Sequence, residues 1–126
     1  MNKAITDIPA LAGGRTAVIT GGASGIGLAA ATRLAGAGLN VVVADLGGPA
    51  LESARDKIAQ IAEDSGKVLA VPCDVAKAED LKALADRAYA AFGEVSFLMN
   101  NAGVGNNPGK PWENLVDWKR LLEVNL

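Results

Sequence analysis

The sequence predicts an α/β fold built around a parallel sheet. Short apolar runs alternate along the 126-residue chain with segments of helical periodicity. The runs show no polar alternation, and near-continuous hydrophobicity is typical of strands buried on both faces. Strands that alternate with helices form βαβ units with right-handed crossovers, which makes the sheet parallel. No linker, repeat or low-complexity tract interrupts the sequence, so a single domain is expected.

Four strands are predicted, one from each apolar run. The runs TAVIT and NVVVAD are rich in β-branched residues, and KVLAVPC and SFLMN lead into turns. Strands in globular proteins have this length and composition. The predicted strands are Thr16–Thr20, Asn40–Asp45, Lys67–Cys73 and Ser96–Asn100.

Four helices are predicted between and after these strands. The first is Ser24–Gly36, and glycines end it; the second, Pro49–Ser65, begins with a proline suited to the first helical position. The third is Lys77–Phe92, followed by a glycine, and the fourth occupies the end of the chain, after the polar loop 103–111. The apolar faces expected to pack inward are Ile26, Ala30 and Leu34; Leu51, Ala54, Ile58 and Ile61; Leu81, Leu84, Ala85, Ala88 and Phe92; and Leu115, Trp118, Leu121 and Leu122.

Composition narrows the classes of function. The net charge is −2 and the basic residues form no run, which argues against a nucleic-acid or membrane-binding surface. With one cysteine and no histidine, neither an internal disulfide nor a zinc site is expected, and Cys73 is interpreted as a small buried hydrophobe. No signal peptide or bilayer-spanning run is found in the sequence, so a cytoplasmic protein is expected.

The stretch TGGASGIG, Thr20–Gly27, joins the first strand to the first helix. A helix N-terminus presents free N–H groups and a partial positive charge, which attract phosphate. We interpret Gly21 as the residue of the tight turn, Gly25 as the point where the backbone approaches a pyrophosphate, and Gly27 as a packing glycine. Ser24 is a candidate helix N-cap that could also reach a phosphate. A purely structural glycine turn is the alternative.

Asp45 ends the second strand, eighteen residues after Gly27. An acid in this position accepts the ribose hydroxyls of the adenosine half of NAD. The alternative is a turn residue before Leu46. Together, the glycine loop and Asp45 favour a nucleotide, and the absence of an adjacent arginine favours NAD over NADP.

Four motifs in order resemble the short-chain dehydrogenase/reductases. They are Thr20-Gly-x-x-x-Gly-x-Gly27, Asp74-Val75, Asn100-Asn-Ala-Gly103 and Val124-Asn-Leu126, and the resemblance extends from Leu11 onwards. It implies a Rossmann-type, doubly wound parallel sheet, of which about four strands and four helices are present. It also implies NAD(H)-dependent hydride transfer between the nicotinamide and a carbonyl or alcohol substrate.

The resemblance implies the following cofactor contacts. The pyrophosphate and nicotinamide side would be lined by Gly21, Ser24, Gly25, Ile26 and Gly27. The adenosine ribose and adenine edge would be held by Asp45 and Leu46, and the adenine ring would be flanked by Asp74 and Val75. The cofactor sugars would lie over Asn101, Ala102 and Gly103, and the nicotinamide ribose would lie near Val124. Two alternatives stay open. Ala76 stands where the family usually has a capping Ser or Thr, so Asp74 could cap the next helix instead. One residue of the pair Asn100 and Asn101 could brace neighbouring loops instead of contacting the cofactor.

Asn125 matches the family asparagine that holds a water of the proton relay, although an asparagine merely ending a helix is the alternative. The family also uses a Tyr with a Lys four residues later, and a Ser. Here Tyr89 is followed by Gly93, and the strand that carries the Ser is missing. We therefore expect residues 1–126 to be the N-terminal part of one cofactor-binding domain, with no second domain.

The parent protein is expected to be an NAD-dependent dehydrogenase and a homo-oligomer. The 126-residue chain is expected to be inactive by itself and prone to associate. Two other classes of function stay open: a stand-alone nucleotide-binding or regulatory module, and a half-domain that pairs with another chain.

Overall fold

The four apolar runs pair as parallel strands of one sheet. The structure is a computed structural model that describes residues 7–103 and 115–125. The strands are β1 (Thr16–Thr20), β2 (Asn40–Asp45), β3 (Val68–Pro72) and β4 (Phe97–Asn100). Their order across the sheet is β3-β2-β1-β4. After β3 the chain therefore crosses back to the other side of β1, and this reversal opens a crevice at the carboxyl ends of the strands.

The register aligns those carboxyl ends. Thr20 pairs with Ala44 of β2 and with Asn100 of β4. Asp45 follows Ala44 directly and pairs with Pro72 of β3. All of β1 and the middle of β2 are buried, as the continuous hydrophobicity predicted. The residues that follow each strand are consequently gathered along one edge of the sheet.

The described residues include four α-helices: α1 (Gly25–Gly36), α2 (Pro49–Ile61), α3 (Ala78–Phe92) and α4 (Leu115–Asn125). Helix α2 ends four residues before the predicted Ser65, because a short 3-10 turn, Ser65–Lys67, leads into β3 instead. The Asp64 side chain stabilises that turn by accepting from the Gly66 N–H at 2.8 Å. Gly93 ends α3 in the left-handed conformation, with a φ of 80°.

The helices cover both faces of the sheet and form two cores. One core joins α1 and α2 to the sheet, and it contains Ala17, Ile19, Val41, Val43, Ala31, Leu34, Leu51 and Ile58. The other joins α3 to the opposite face, and it contains Val18, Val42, Ala44, Val71, Leu84 and Ala88. Cys73 is buried in the second core, which confirms its interpretation as a small hydrophobe.

The predicted apolar face of α1 is confirmed at Leu34 and wrong at Ile26, because the buried face is rotated relative to the prediction. Ile26 is 74% exposed, and the buried stripe runs instead through Gly27, Ala31, Leu34 and Ala35. The reason is that Gly27 packs against the Gly21 carbonyl, directly after β1, which turns the preceding side chain away from the sheet.

Four further members of the predicted faces are also exposed in the described residues: Ile61, Leu81, Ala85 and Leu122. The predicted contacts of Leu115, Trp118 and Leu121, and the polar loop beyond residue 103, lie outside what the structure describes. Within the described ranges, no helix combines the length and the apolarity needed to cross a bilayer.

Candidate functional site

The glycine loop lies at the carboxyl end of β1 and is anchored on β2. Gly21 and Gly25 both have left-handed backbones, with φ values of 69° and 56°. The N–H groups of Gly21 and Gly22 donate to the Ala44 carbonyl at 2.7 and 3.2 Å. The loop therefore turns sharply at Gly21, at the end of the strand.

The glycines of this loop have different surroundings. A Cβ on Gly21 would lie 2.8 Å from the Ala102 Cα, and a Cβ on Gly22 would lie 2.8 Å from a Val43 methyl carbon. A Cβ on Gly27 would fall on the Gly21 carbonyl. A Cβ on Gly25 would meet none of the protein's atoms within 4 Å. Gly21, Gly22 and Gly27 are thus packing positions, whereas Gly25 faces open space.

Ser24 is the N-cap residue of α1, as the sequence predicted, but its side chain makes no capping hydrogen bond in the described structure. Its backbone is extended, and its carbonyl accepts from the Leu28 N–H at 3.2 Å. The first N–H groups of a helix have no partners within the helix. Without a side-chain cap they are available to a ligand.

Asp45 connects the end of β2 to the glycine loop. One carboxylate oxygen, Oδ2, accepts from the Ala23 N–H at 3.0 Å, and Oδ1 accepts from the Leu46 N–H at 2.8 Å. The residue is half-buried. Each carboxylate oxygen has two lone pairs, so both retain capacity for a further donor.

A buried hydroxyl joins the glycine loop to the segment after β4. Thr20 Oγ1 accepts from the N–H groups of Asn101 and Ala102, both at 3.1 Å, and donates to the Met99 carbonyl at 3.4 Å. Asn101 Nδ2 donates to the Gly21 carbonyl at 3.2 Å, so Asn101 is the asparagine of the pair that braces a loop. Sequence reasoning assigned no role to Thr20, although a hydroxyl on the last residue of a buried strand was the available signal.

Asp74 forms a local turn before α3. Its Oδ1 accepts from the Ala76 N–H at 3.0 Å, and its own N–H donates to Asp80 Oδ2 at 2.9 Å. Lys77, the N-cap residue of α3, makes no side-chain cap in the described structure. Asp80, in the first turn of α3, therefore accepts a hydrogen bond from the chain that precedes the helix. The carboxylates of Asp74 and Asp80 supply acceptors near Ala76, whose side chain has no oxygen.

These segments surround a cavity of about 410 Å³ at the carboxyl ends of the strands. Its lining includes Gly21, Ser24, Asp45, Leu46, Asp74, Val75, Asn101, Ala102, Gly103 and Val124. The structure thus brings together most of the predicted site residues. Three predicted residues, Gly25, Ile26 and Gly27, belong to the same loop and helix start but do not line the cavity.

Asn125 lies beside this cavity rather than in it. It lines an adjacent cavity of about 250 Å³ together with Thr20, Val75 and Asn100. A Cβ built on Gly103 would lie 3.2 Å from Asn125 Oδ1, so the end of α4 lies close to the segment after β4.

Sequence reasoning missed five residues of the larger cavity: Ala44, Cys73, Ala76, Arg120 and Glu123. Arg120 precedes Val124 by four residues, which places the two on one face of α4. That spacing was the signal that could have identified Arg120. Ala44 and Cys73 each precede a predicted acid directly.

The cavity is rich in carboxylates. Asp45, Asp74 and Glu123 line it, and Arg120 is the cation among its described lining residues. Burial, and then the charges of Asp80 and Asp74, raise the pKa of the Cys73 thiol above its ordinary value. The thiol is therefore neutral at physiological pH, and it contributes an apolar wall.

Comparisons with known proteins point to one family. The model of the short chain dehydrogenase family matches residues 15–126. The 3beta-hydroxysteroid dehydrogenase 2 of Eggerthella lenta is 40% identical over 120 residues, covering 94% of this chain and 44% of that protein.

Two solved structures carry nicotinamide cofactors. A short chain dehydrogenase/reductase from Burkholderia phymatum in complex with NAD is 41% identical, with a TM-score of 0.82 over 90% of this chain and 40% of that one. The C-domain of a bacterial malonyl-CoA reductase with NADP is 32% identical, with a TM-score of 0.83 over 96% of this chain and 20% of that one. The chain spans less than half the length of the proteins it matches.

Proposed function

The chain belongs to the short chain dehydrogenase family, and from this premise we propose that it binds NAD(H) in the larger cavity. We propose further that the protein is an oxidoreductase that transfers hydride between the nicotinamide and a carbonyl or alcohol. Because the chain spans less than half the length of its relatives, we assign to residues 1–126 the N-terminal, cofactor-binding part of a single domain.

The construction of the cavity supports a dinucleotide. The uncapped N-terminus of α1 offers N–H groups to a phosphate. Gly25 leaves the approach to those groups clear, because a Cβ there would meet none of the described atoms. The cavity volume of about 410 Å³ lies within the range of small-molecule and cofactor sites.

We assign roles to the chain's residues as the family resemblance implies, including three residues that lie beside the cavity and do not line it. The pyrophosphate and the nicotinamide side would lie against Gly21, Ser24, Gly25, Ile26 and Gly27. The adenosine would lie against Asp45, Leu46, Asp74 and Val75; the cofactor sugars against Asn101, Ala102 and Gly103; and the nicotinamide ribose near Val124. When bound, the nicotinamide supplies or accepts the hydride. Asn125 would hold a water at the end of α4 for the proton relay.

The proton donor is not assigned to this part of the chain. Tyr89 is the chain's one tyrosine, it is exposed on α3, and it lines neither described cavity. We therefore propose that residues 1–126 bind the cofactor and do not by themselves complete the catalytic machinery.

The observation that carries the choice of NAD is the fixed carboxylate of Asp45. A carboxylate about 4 Å from a 2′-phosphate would oppose it by about 4 kcal/mol at an effective dielectric constant near 20. Arg120 lines the same cavity, and it is the observation that favours NADP(H) as the second candidate.

Titration of the chain with each cofactor tests the proposal. We expect NAD to bind more tightly than NADP by about a hundredfold or more, measured by calorimetry at one salt concentration. Asp45→Asn, which removes the charge and keeps an amide oxygen, should reduce that ratio. Arg120→Gln, which removes the positive charge from the lining of the same cavity, is the matched variant. Equal affinities for NAD and NADP, or a preference for NADP that Arg120→Gln abolishes, would contradict the assignment.

A further inference from the structure

Three successive N–H groups tie the glycine loop to the last two residues of β2. Gly21 and Gly22 donate to the Ala44 carbonyl. Ala23 donates to the Asp45 carboxylate at 3.0 Å, so the third hydrogen bond has a side-chain acceptor whereas the first two have a backbone acceptor. Beyond Ala23 the chain enters α1 through Ser24, whose side chain makes no cap in the described structure. The Asp45 contact is thus placed immediately before the helix start.

The Asp45 carboxylate is itself held in one orientation. Its two oxygens accept from two different N–H groups, Oδ2 from Ala23 and Oδ1 from Leu46. The residue is half-buried at the end of a buried strand. A hydrogen bond to an ionised acceptor is stronger than one between neutral groups. The loop therefore loses a strong constraint if the acceptor is removed.

We propose that Asp45 is a positioning residue for the glycine loop, in addition to any contact with a ribose. Its acceptor oxygen orients the Ala23 N–H and thereby sets the direction in which the chain enters α1. Removing the acceptor should weaken the binding of an anion at the helix start, because the glycine loop would lose its orientation. This inference relies on the proposed function only in taking the loop as the anion site.

Charge and positioning make opposite predictions for an anion that has no ribose. Removing a negative charge near the site should strengthen anion binding through the Coulomb term. Loss of the loop geometry should weaken it. Inorganic pyrophosphate is therefore the probe, because it has no hydroxyls for Asp45 to bind.

Two classes of variant separate these effects. Asp45→Asn removes the charge and keeps an oxygen that can accept from Ala23, so it should bind pyrophosphate at least as tightly as the unsubstituted chain. Asp45→Ala removes both the charge and the acceptor, and should bind pyrophosphate about tenfold more weakly. Asp45→Val, whose side chain suits a strand end, is measured in parallel as a second variant without an acceptor.

Hydrogen exchange at the Ala23 amide gives a second readout that needs no ligand. In Asp45→Ala this amide should exchange about tenfold faster, because its acceptor is gone. The amides of Gly21 and Gly22, which donate to the Ala44 carbonyl, are internal references whose exchange should change little. A merely structural role for Asp45 would change all three together.

The outcomes distinguish the two proposals. If the variants without an acceptor bind pyrophosphate as tightly as Asp45→Asn does, or if Ala23 exchange does not change in them, the positioning role is wrong. If Ala23 exchange accelerates while the unsubstituted chain binds neither pyrophosphate nor NAD, the positioning role stands and the proposed function fails.

Discussion

At the scale of single residues, Gly25 differs from the other glycines of its loop. Its backbone is left-handed and the space in front of its Cα is open, whereas Gly27 is packed against the Gly21 carbonyl. A left-handed conformation costs a non-glycine residue about 1–2 kcal/mol. The cost of a side chain at Gly25 is therefore backbone strain without a steric clash inside the protein.

We expect Gly25→Val to abolish cofactor binding with a loss of stability of about 1–2 kcal/mol. The branched side chain would occupy the space in front of the α1 N-terminus. Gly27→Val is the matched control, and it should unfold the chain because its Cβ would fall on a backbone carbonyl. Thermal unfolding and NAD titration of both variants check this. If Gly25→Val unfolds as Gly27→Val does, Gly25 is a packing glycine and has no phosphate role.

Cys73 should titrate above the ordinary thiol pKa of about 8.5. Burial is the main cause of the raised pKa, followed by the charges of Asp80 and Asp74. Because the folded state holds this proton more tightly than the unfolded state, the associated stability is present below the unfolded pKa. It is lost as the pH rises through the folded pKa.

The pH midpoint of alkylation of Cys73 by iodoacetamide measures this pKa independently of access to the thiol. We expect a midpoint above that of a free cysteine peptide, and a lower midpoint in Asp80→Asn. Lys82→Met, an exposed charge change on the same helix, is the control. A midpoint at or below the peptide value would show that the thiol is not held neutral.

At the scale of elements, Thr20 links β1 to the segment that follows β4. Its hydroxyl is buried and serves two N–H groups and one carbonyl. A buried donor left without a partner costs about 1–3 kcal/mol. The side chain therefore contributes to stability through hydrogen bonds more than through packing.

Thr20→Val should lower the free energy of unfolding by about 1–3 kcal/mol, because it removes the acceptor of the Ala102 N–H. The Asn101 N–H keeps the Met99 carbonyl as an acceptor at 3.0 Å. Thr20→Ser keeps the hydroxyl and should cost about 0.8 kcal/mol for the lost methyl. Urea denaturation of both variants gives the comparison. Equal losses in the two variants would mean that the hydroxyl contributes nothing.

Element existence and order were predictable, because continuous apolar runs and helical spacing are local signals. The bounds of β1 and β2 match the prediction, and β4 differs by one residue. The direction of each helix face was less predictable. The rotation of α1 follows from Gly27 packing on Gly21, and the sequence does not contain that tertiary contact.

The candidate site was predictable where its residues lie at or just after the ends of strands, since parallel strands end at one edge. Asp45, Asp74 and Asn101 belong to this class. Arg120 and Glu123 were not found, because they reach the cavity from α4, and the docking of that helix depends on tertiary packing. The hydrogen bond between Asp45 and Ala23 was also not predictable, because the two residues are twenty-two positions apart in the sequence.

At the scale of the whole molecule, β4 forms one edge of the sheet in the described structure, where it pairs with β1. Leu98, at its centre, is 56% exposed. An apolar strand edge of this kind is a recognised hazard for association. The exposed edge therefore supports the prediction that the chain associates.

Sedimentation velocity over a range of concentrations should show dimers or larger species of the 126-residue chain. Leu98→Lys should shift the distribution toward monomer, because a charge on an edge strand opposes pairing. Ile61→Lys, an exposed position on α2, controls for the added charge. A chain that stays monomeric throughout, or an equal effect of both lysines, would contradict this role for the edge.

The strand order also affects how the site comes into existence during folding. β1 pairs with β2 across 24 residues, from Thr16 to Asn40, but with β4 across 80, from Ala17 to Phe97. Closing the longer loop costs about 1 kcal/mol more in chain entropy, so β4 is expected to join late. Until it does, the Thr20 hydroxyl has none of its partners beyond residue 98. A growing or partly folded chain thus forms the glycine loop before the segment 101–103 after β4 completes the lining of the larger cavity.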